Sequence, residues 1–441
     1  MNALLGLSLS SGPLVVTVYA VAALAFAGLA IAYARSRPGG RPRRSAAVAA
    51  VLLVGTIGGA ALAALLDGTD GPFGVDFTAV TRLWAGLALG GLGVAGLVLA
   101  HALTRRRARR ALASVGVALL VVLTSAMTVN IDFGQYPTLR SALGISEYPV
   151  QDSPLASTGG AHPALADWTA PAGMPTAGRV SSVTIPATAS GFAARDAVVY
   201  LPPAALTAAP PLLPVMVMLS GQPGSPSDPL STEKLQQALD AYAAAHAGLA
   251  PIVVSPDQLG DPDTNPMCVD SPLGNSATYL TVDVPAWIRA NLPVLPDAHD
   301  WAIGGLSQGG TCAIQLGAAH PELFGAIVDA SGELAPTLGE EATTIEKGFG
   351  GSASAYEAAK PASILAAHAP YADTVAVFGV GADDTTFLDG VRTLHADATA
   401  AGMRTTYLEV PDSAHDATAW TGVFDQALQL LAARWELVPA S

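Results

Sequence analysis

The sequence predicts an α/β domain with a doubly wound, largely parallel sheet, preceded by four helices that cross a membrane. Three observations lead there: four long apolar stretches near the N-terminus, an abrupt change of charge after them, and a later alternation of short β-rich runs with helical ones. Hydrophobic residues fill 51% of the 441 positions, which points first to an embedded part. Through Asn130 eleven Arg stand against three Asp, a net +8, whereas from Ile131 onward ten basic residues stand against thirty-two acidic ones, a net −22. The overall charge of −14 therefore describes neither half.

The apolar stretches run from Pro13 to Ala34, Ser45 to Leu66, Thr78 to Leu103 and Ala111 to Asn130. Each has the roughly 20 residues an α-helix needs to span a hydrocarbon core. The loops "RSRPGGRPRR" and "TRRRARR" carry five arginines each, while "DGTDGPFGVDF" carries three aspartates and no base. Because cytoplasmic loops concentrate Lys and Arg, the arginine loops read as cytoplasmic, and both the N-terminus and everything after Asn130 as extracytoplasmic. The first stretch lacks the basic flank and short core of a cleaved signal peptide, so it reads as an anchor. Gly55 with Gly59 and Gly86 with Gly90 have the small-xxx-small spacing of close helix packing. No Asp, Glu or Lys lies inside a stretch, which argues against a transporter.

Residues 1–130 thus read as a four-helix transmembrane anchor. Residues 131–178, rich in Pro, Ala, Ser and Gly, read as a linker that packs in part on the domain following it, residues 179–441. There "RVSSVTIPA", "DAVVYLPP", "LLPVMVMLSG", "PIVVSP", "DWAIGGLS", "GAIVDASGE", "DTVAVFGVG" and "RTTYLEV" read as strands. Helices fall near Ser231 to His246, Ala277 to Ala290, Gln308 to Ala319 and Thr386 to Ala401, with a last one toward Glu436, and an irregular stretch reaches Pro370. Continuous apolar runs separated by helices are the pattern of buried parallel strands with crossovers.

Within "GGLSQGG", Gly305 and Gly309 flank Ser307 at the junction of a strand and a helix. A serine hydroxyl is a weak nucleophile unless it is lifted clear of the sheet and given a base, and a strained strand-to-helix turn with small neighbours does the lifting. An acid and then a histidine should follow, each past a later strand. Asp383 and Asp384 follow "AVFGVG", and His415 follows "YLEV". The seven other histidines lie on or near helices, before a strand, in the linker or at the end of a membrane stretch.

The strings "GGLSQGG", "AHPELFGAIVDASGE", "GADDTTFLDG" and "SAHDATAW" make residues 178–436 resemble an esterase family of α/β-hydrolases. That family includes S-formylglutathione hydrolases, feruloyl esterases and the antigen 85 mycolyltransferases. The resemblance implies an α/β-hydrolase fold with a catalytic triad of Ser307, Asp384 and His415, Asp384 being preferred to Asp383 because it matches the acid of a Gly-x-x-Asp string starting at Gly381. It also implies oxyanion donors at the backbone N–H groups of Gln308 and Gln222, although Ser220 stands where many hydrolases have His.

Cys268 and Cys312 are an even pair outside the membrane and read as a disulfide pinning a loop beside the site. Asp257, Asp261, Asp263 and Asp270 cluster in one loop without a metal-binding spacing, so they read as solvated acids, and no metal is predicted. No cofactor is predicted, no motif sets an oligomeric state, and the acidic outer domain disfavours nucleic acid. The expected partners are a small-molecule or lipid ester substrate and the cytoplasmic membrane. Two other readings are an acyltransferase that passes its acyl group to a sugar, and a non-catalytic envelope scaffold.

Overall fold

The computed structural model describes residues 2–36, 40–66, 77–134, 136–143, 145, 148–151, 162–262 and 264–437. The acidic loop 67–76, Asp263 and parts of the linker lie outside these residues. Two compact units divide the chain, Met1–Ile145 and Ser146–Ser441.

The first unit contains α1 (Pro13–Ala34), α2 (Arg41–Leu65), α3 (Ala79–Thr104) and α4 (Ala108–Phe133), all long and apolar enough to cross a membrane. Arg41, Arg43 and Arg44 are part of α2 rather than of the loop before it. Pro42 suits a first helical turn, and arginine is a good helix former. The α2–α3 contact depends on glycine. A Cβ on Gly55 would fall 2.5 Å from the Cα of Gly90, and one on Gly86 would fall 2.4 Å from the carbonyl oxygen of Thr56. Thr78 caps α3 through the N–H of Thr81, and the hydroxyls of both threonines donate to Asp132 on α4.

In the second unit β1 (Arg179–Val183), β2 (Ala197–Leu201), β3 (Val215–Leu219), β4 (Ile252–Ser255), β5 (Trp301–Leu306), β6 (Ala326–Ala330), β7 (Val375–Gly381) and β8 (Arg404–Val410) form one sheet. Its order is β1-β2-β4-β3-β5-β6-β7-β8. β2 runs antiparallel to both of its neighbours, and every other pair is parallel. β2 through β6 are buried along their whole length, as strands covered by helices on both faces must be. The covering helices include α5 (Leu235–Ala245), α6 (Val284–Asn291) and α7 (Gln308–Ala319).

After β6 the chain is helical where the sequence suggested irregular structure: α8 (Glu341–Phe349), α9 (Ala353–Ala359) and α10 (Pro361–His368). Each of these helices is shorter than the window over which a helical repeat can be read. Local signals delimit them instead, with Gly350 in the left-handed conformation ending α8, Ser352 capping α9 and Pro361 opening α10. α11 (Leu388–Ala400) and α12 (Ala417–Arg434) complete the fold. Part of the linker packs on this unit: Trp168 is buried and its indole N–H donates to Ala247, while Pro149 and Gln151 hydrogen-bond Ser182 of β1.

Candidate active site

β5 passes into α7 through Ser307, whose φ of 53° and ψ of −120° put it in a region that side-chain-bearing residues rarely occupy. The flanking glycines make this turn possible. A Cβ on Gly305 would lie 2.3 Å from the carbonyl oxygen of Gly309, and a Cβ on Gly309 would lie 2.3 Å from that of Ser220. The Ser307 N–H donates to Ala330 on the neighbouring strand, 2.8 Å away, which ties the turn to the sheet.

The loops after β7 and β8 bring the two partners. His415 Nε2 lies 2.9 Å from Ser307 Oγ, and His415 Nδ1 lies 3.1 Å from Asp384 Oδ2. With the Nδ1 proton directed at the carboxylate, Nε2 is the free acceptor for the serine hydroxyl. Asp384 is fully buried and accepts the Phe387 N–H at 3.0 Å through its other oxygen, whereas the adjacent Asp383 is exposed. The imidazole stacks on Phe387 at 4.1 Å and meets Trp420 edge-on at 5.2 Å. Asp416, next in the chain, caps α12 through the N–H groups of Thr418 and Ala419 and also accepts from Ala414, so the turn carrying His415 is pinned on both sides.

As the first residue of α7, Gln308 has an N–H with no acceptor inside the helix, at the end where the helix dipole favours negative charge. The Gly221–Gln222 segment runs alongside, since a Cβ on Gly221 would stand 3.6 Å from Ser307 Cβ. A hydroxyl with an imidazole in hydrogen-bonding reach and a buried carboxylate behind that imidazole are two of the parts that ester hydrolysis through a serine requires.

Residues 193–431 match the family model described as "Putative esterase". The chain belongs to this esterase family. An uncharacterized protein of Corynebacterium glutamicum is 35% identical over 302 residues, 65% of this chain and 68% of that one. Among solved structures, an S-formylglutathione hydrolase from Agrobacterium tumefaciens is similar at a TM-score of 0.48 and 20% identity, covering 59% of this chain and 97% of that one. A ferulic acid esterase also gives 0.48, at 18% identity, covering 59% and 98%. The second unit is thus the α/β-hydrolase domain of a carboxylic ester hydrolase.

Several residues of this esterase that matter to the site carry no sequence signal. Gln258, fully buried after β4, donates from one Nε2 to the carbonyl of Ser220 at 2.6 Å and to Gln308 Oε1 at 3.1 Å. One amide thereby joins the loop after β3 to the first turn of α7. Asn265 extends the network, accepting from Gln308 Nε2 at 2.9 Å and donating to Thr337 at 3.0 Å. Gln258→Leu removes both bonds at similar size and should lower kcat by about tenfold to a hundredfold with KM little changed, less than the loss of an oxyanion donor itself. An unchanged kcat would show that the two segments hold their spacing without it.

The aspartates read as solvated need a correction at Asp257, which is fully buried. It pairs with Arg195 through Oδ1 at 2.7 Å and Oδ2 at 3.0 Å, and Arg195 also donates to Gly224 in the loop after β3. Burial of a paired carboxylate in this way braces that loop. Among the described residues no cluster of His, Cys, Asp and Glu could hold a metal ion.

Cys268 and Cys312 are joined by a disulfide that closes 44 residues of chain and ties the loop after β4 to α7. A loop of that length implies a contribution of about 4 kcal/mol, so the Cys268→Ser, Cys312→Ser pair should lose roughly that much in denaturant unfolding. Near-unchanged stability would mean that the polar network around Gln308 holds the loop unaided.

At the end of β6, Asp329 is wholly buried beside Gly310, and burial pushes its carboxyl up to about 7. The Gly332 N–H donates to its Oδ1, while Oδ2 has no partner among the described residues. A carboxyl raised in the fold binds its proton more tightly there than in the unfolded chain, so its contribution favours the folded state at low pH. That contribution is lost as pH rises from the ordinary carboxylate range to about 7, and it changes no further above that. Asp329→Asn should flatten this part of the stability profile in denaturant melts across pH, and an unaltered profile would contradict the assignment.

Proposed function

We propose that this chain is a membrane-anchored, extracytoplasmic serine esterase that works through an acyl-enzyme on Ser307. Residues 1–130 are its anchor, residues 131–178 its linker and residues 179–441 its catalytic domain. The observation that carries this reading is the continuous chain of contacts from Ser307 through His415 to Asp384. Ser307 Oγ adds to the ester carbonyl carbon as its proton passes to His415 Nε2, and Asp384 stabilises the resulting imidazolium. The carbonyl oxygen, now an oxyanion, is held by the N–H groups of Gln308 and Gln222. His415 returns the proton to the alcohol oxygen as the ester C–O bond breaks. Water, deprotonated by His415, then attacks the acyl-enzyme, and the proton returns to Ser307 as the acid leaves.

The substrates this reading favours are lipid or cell-envelope esters, both acyl and aminoacyl. A domain with a net charge of −22 after Asn130 repels polyanions and favours neutral or cationic molecules, among which an amino acid esterified to a phospholipid carries a cationic amino group. The two arginine-rich loops support this orientation. A membrane-impermeant fluorophosphonate should label the protein on intact cells, and labelling only after permeabilisation would reverse the topology. Turnover of aminoacyl phospholipid in vesicles, compared with p-nitrophenyl esters, tests the substrate class. Full activity on the small esters with none on the lipid would reject the aminoacyl reading.

A further inference from the structure

The helices of the first unit use their glycines in two different ways. Those between α2 and α3 are covered by backbone, as at Gly55 and Gly86. Gly28 on α1 and Gly116 on α4 are not: a Cβ on either would meet nothing within 4 Å. They line a groove of about 450 Å³, with Ala32 on the α1 side and Ala113 on the α4 side. Leu29, Val117 and Leu120 add to its apolar wall, and Arg109 and Arg110, in the first turn of α4, line it as well. Arg110 Nη1 is buried with no hydrogen-bond partner among the described residues, and no ion pair there involves either arginine. Asp132, the acid on α4, lies at the opposite end of that helix.

We infer that this groove binds an anionic phospholipid of the arginine-side leaflet, with an acyl chain along the apolar wall and the phosphate on Arg109 and Arg110. A buried guanidinium nitrogen without an acceptor is costly, and an anionic headgroup supplies the missing oxygen. The apolar wall beside it asks for a chain as well as a charge, which a free phosphate lacks. A second copy of the protein would enter the membrane in the same orientation and bring its own arginines against these, so like charges oppose that occupant. Basic pockets between helices on the cytoplasmic side bind anionic headgroups for this reason. The inference uses the membrane reading of α1 to α4 and is independent of the ester chemistry.

The test uses the full chain reconstituted in vesicles of phosphatidylcholine alone or mixed with phosphatidylglycerol, then extracted in detergent for native mass spectrometry. The expected result is retention of one phosphatidylglycerol per chain in preference to phosphatidylcholine, undisturbed by inorganic phosphate. Retention should fall roughly thirtyfold in the Arg109→Gln, Arg110→Gln pair, the loss of two headgroup contacts, and should largely survive in the Arg→Lys pair. Gly116→Leu should fill the groove and lower retention while p-nitrophenyl ester turnover stays unchanged. Equal retention of the two lipids, full retention in the Arg→Gln pair, displacement by phosphate, or a dimer cross-linked through the Gly116 face would each overturn the assignment.

Discussion

Ser307→Ala should lower kcat on short p-nitrophenyl esters by roughly a millionfold, the scale seen when the nucleophile of a serine triad is removed. The reason is geometric. At 2.9 Å from His415 Nε2, the hydroxyl is the group whose proton the imidazole can accept as the new bond forms, and no other side chain occupies the strained turn between β5 and α7. Alanine keeps the backbone and loses only the oxygen, so the variant should unfold at the same denaturant concentration as the parent. A residual rate within a hundredfold of the parent would mean that another group attacks the ester.

Asp384→Asn should cost about 10⁴-fold in kcat, because an amide in place of the carboxylate favours the wrong imidazole tautomer and cannot stabilise the imidazolium. Asp383→Asn is the matched control. Its side chain is exposed, while Asp384 is buried against His415, so the neighbour's substitution should change kcat less than about threefold, as for a surface charge screened by water. Comparable losses in both variants would contradict the geometry. Recovery of activity in Asp384→Glu, whose carboxylate can still reach Nδ1, would separate positioning of the imidazole from simple destabilisation.

What could be read in the sequence was whatever leaves a local trace. The elbow at Ser307 shows itself because close backbone approach admits only glycine at 305 and 309, and His415 because it follows a strand. Asp383 and Asp384 are equivalent by their place after a strand, so only the Gly-x-x-Asp resemblance favours Asp384, and the turn is what buries Asp384 and exposes Asp383. The helices Glu341–Phe349, Ala353–Ala359 and Pro361–His368 are not legible because each is shorter than the window over which a helical repeat separates from irregular structure. Gln258 and Asp257 were also hidden from sequence: their roles come from Ser220, Gln308 and Arg195, brought close only by folding, and nothing next to them in the chain marks them.

Fluorophosphonate labelling of the purified full-length protein, followed by peptide mapping, probes nucleophile identity and activation in one measurement. The account predicts a single phosphonylated peptide containing Ser307, lost in Ser307→Ala and strongly slowed in His415→Ala. Rapid labelling at another residue, or no labelling of a folded protein, would contradict it.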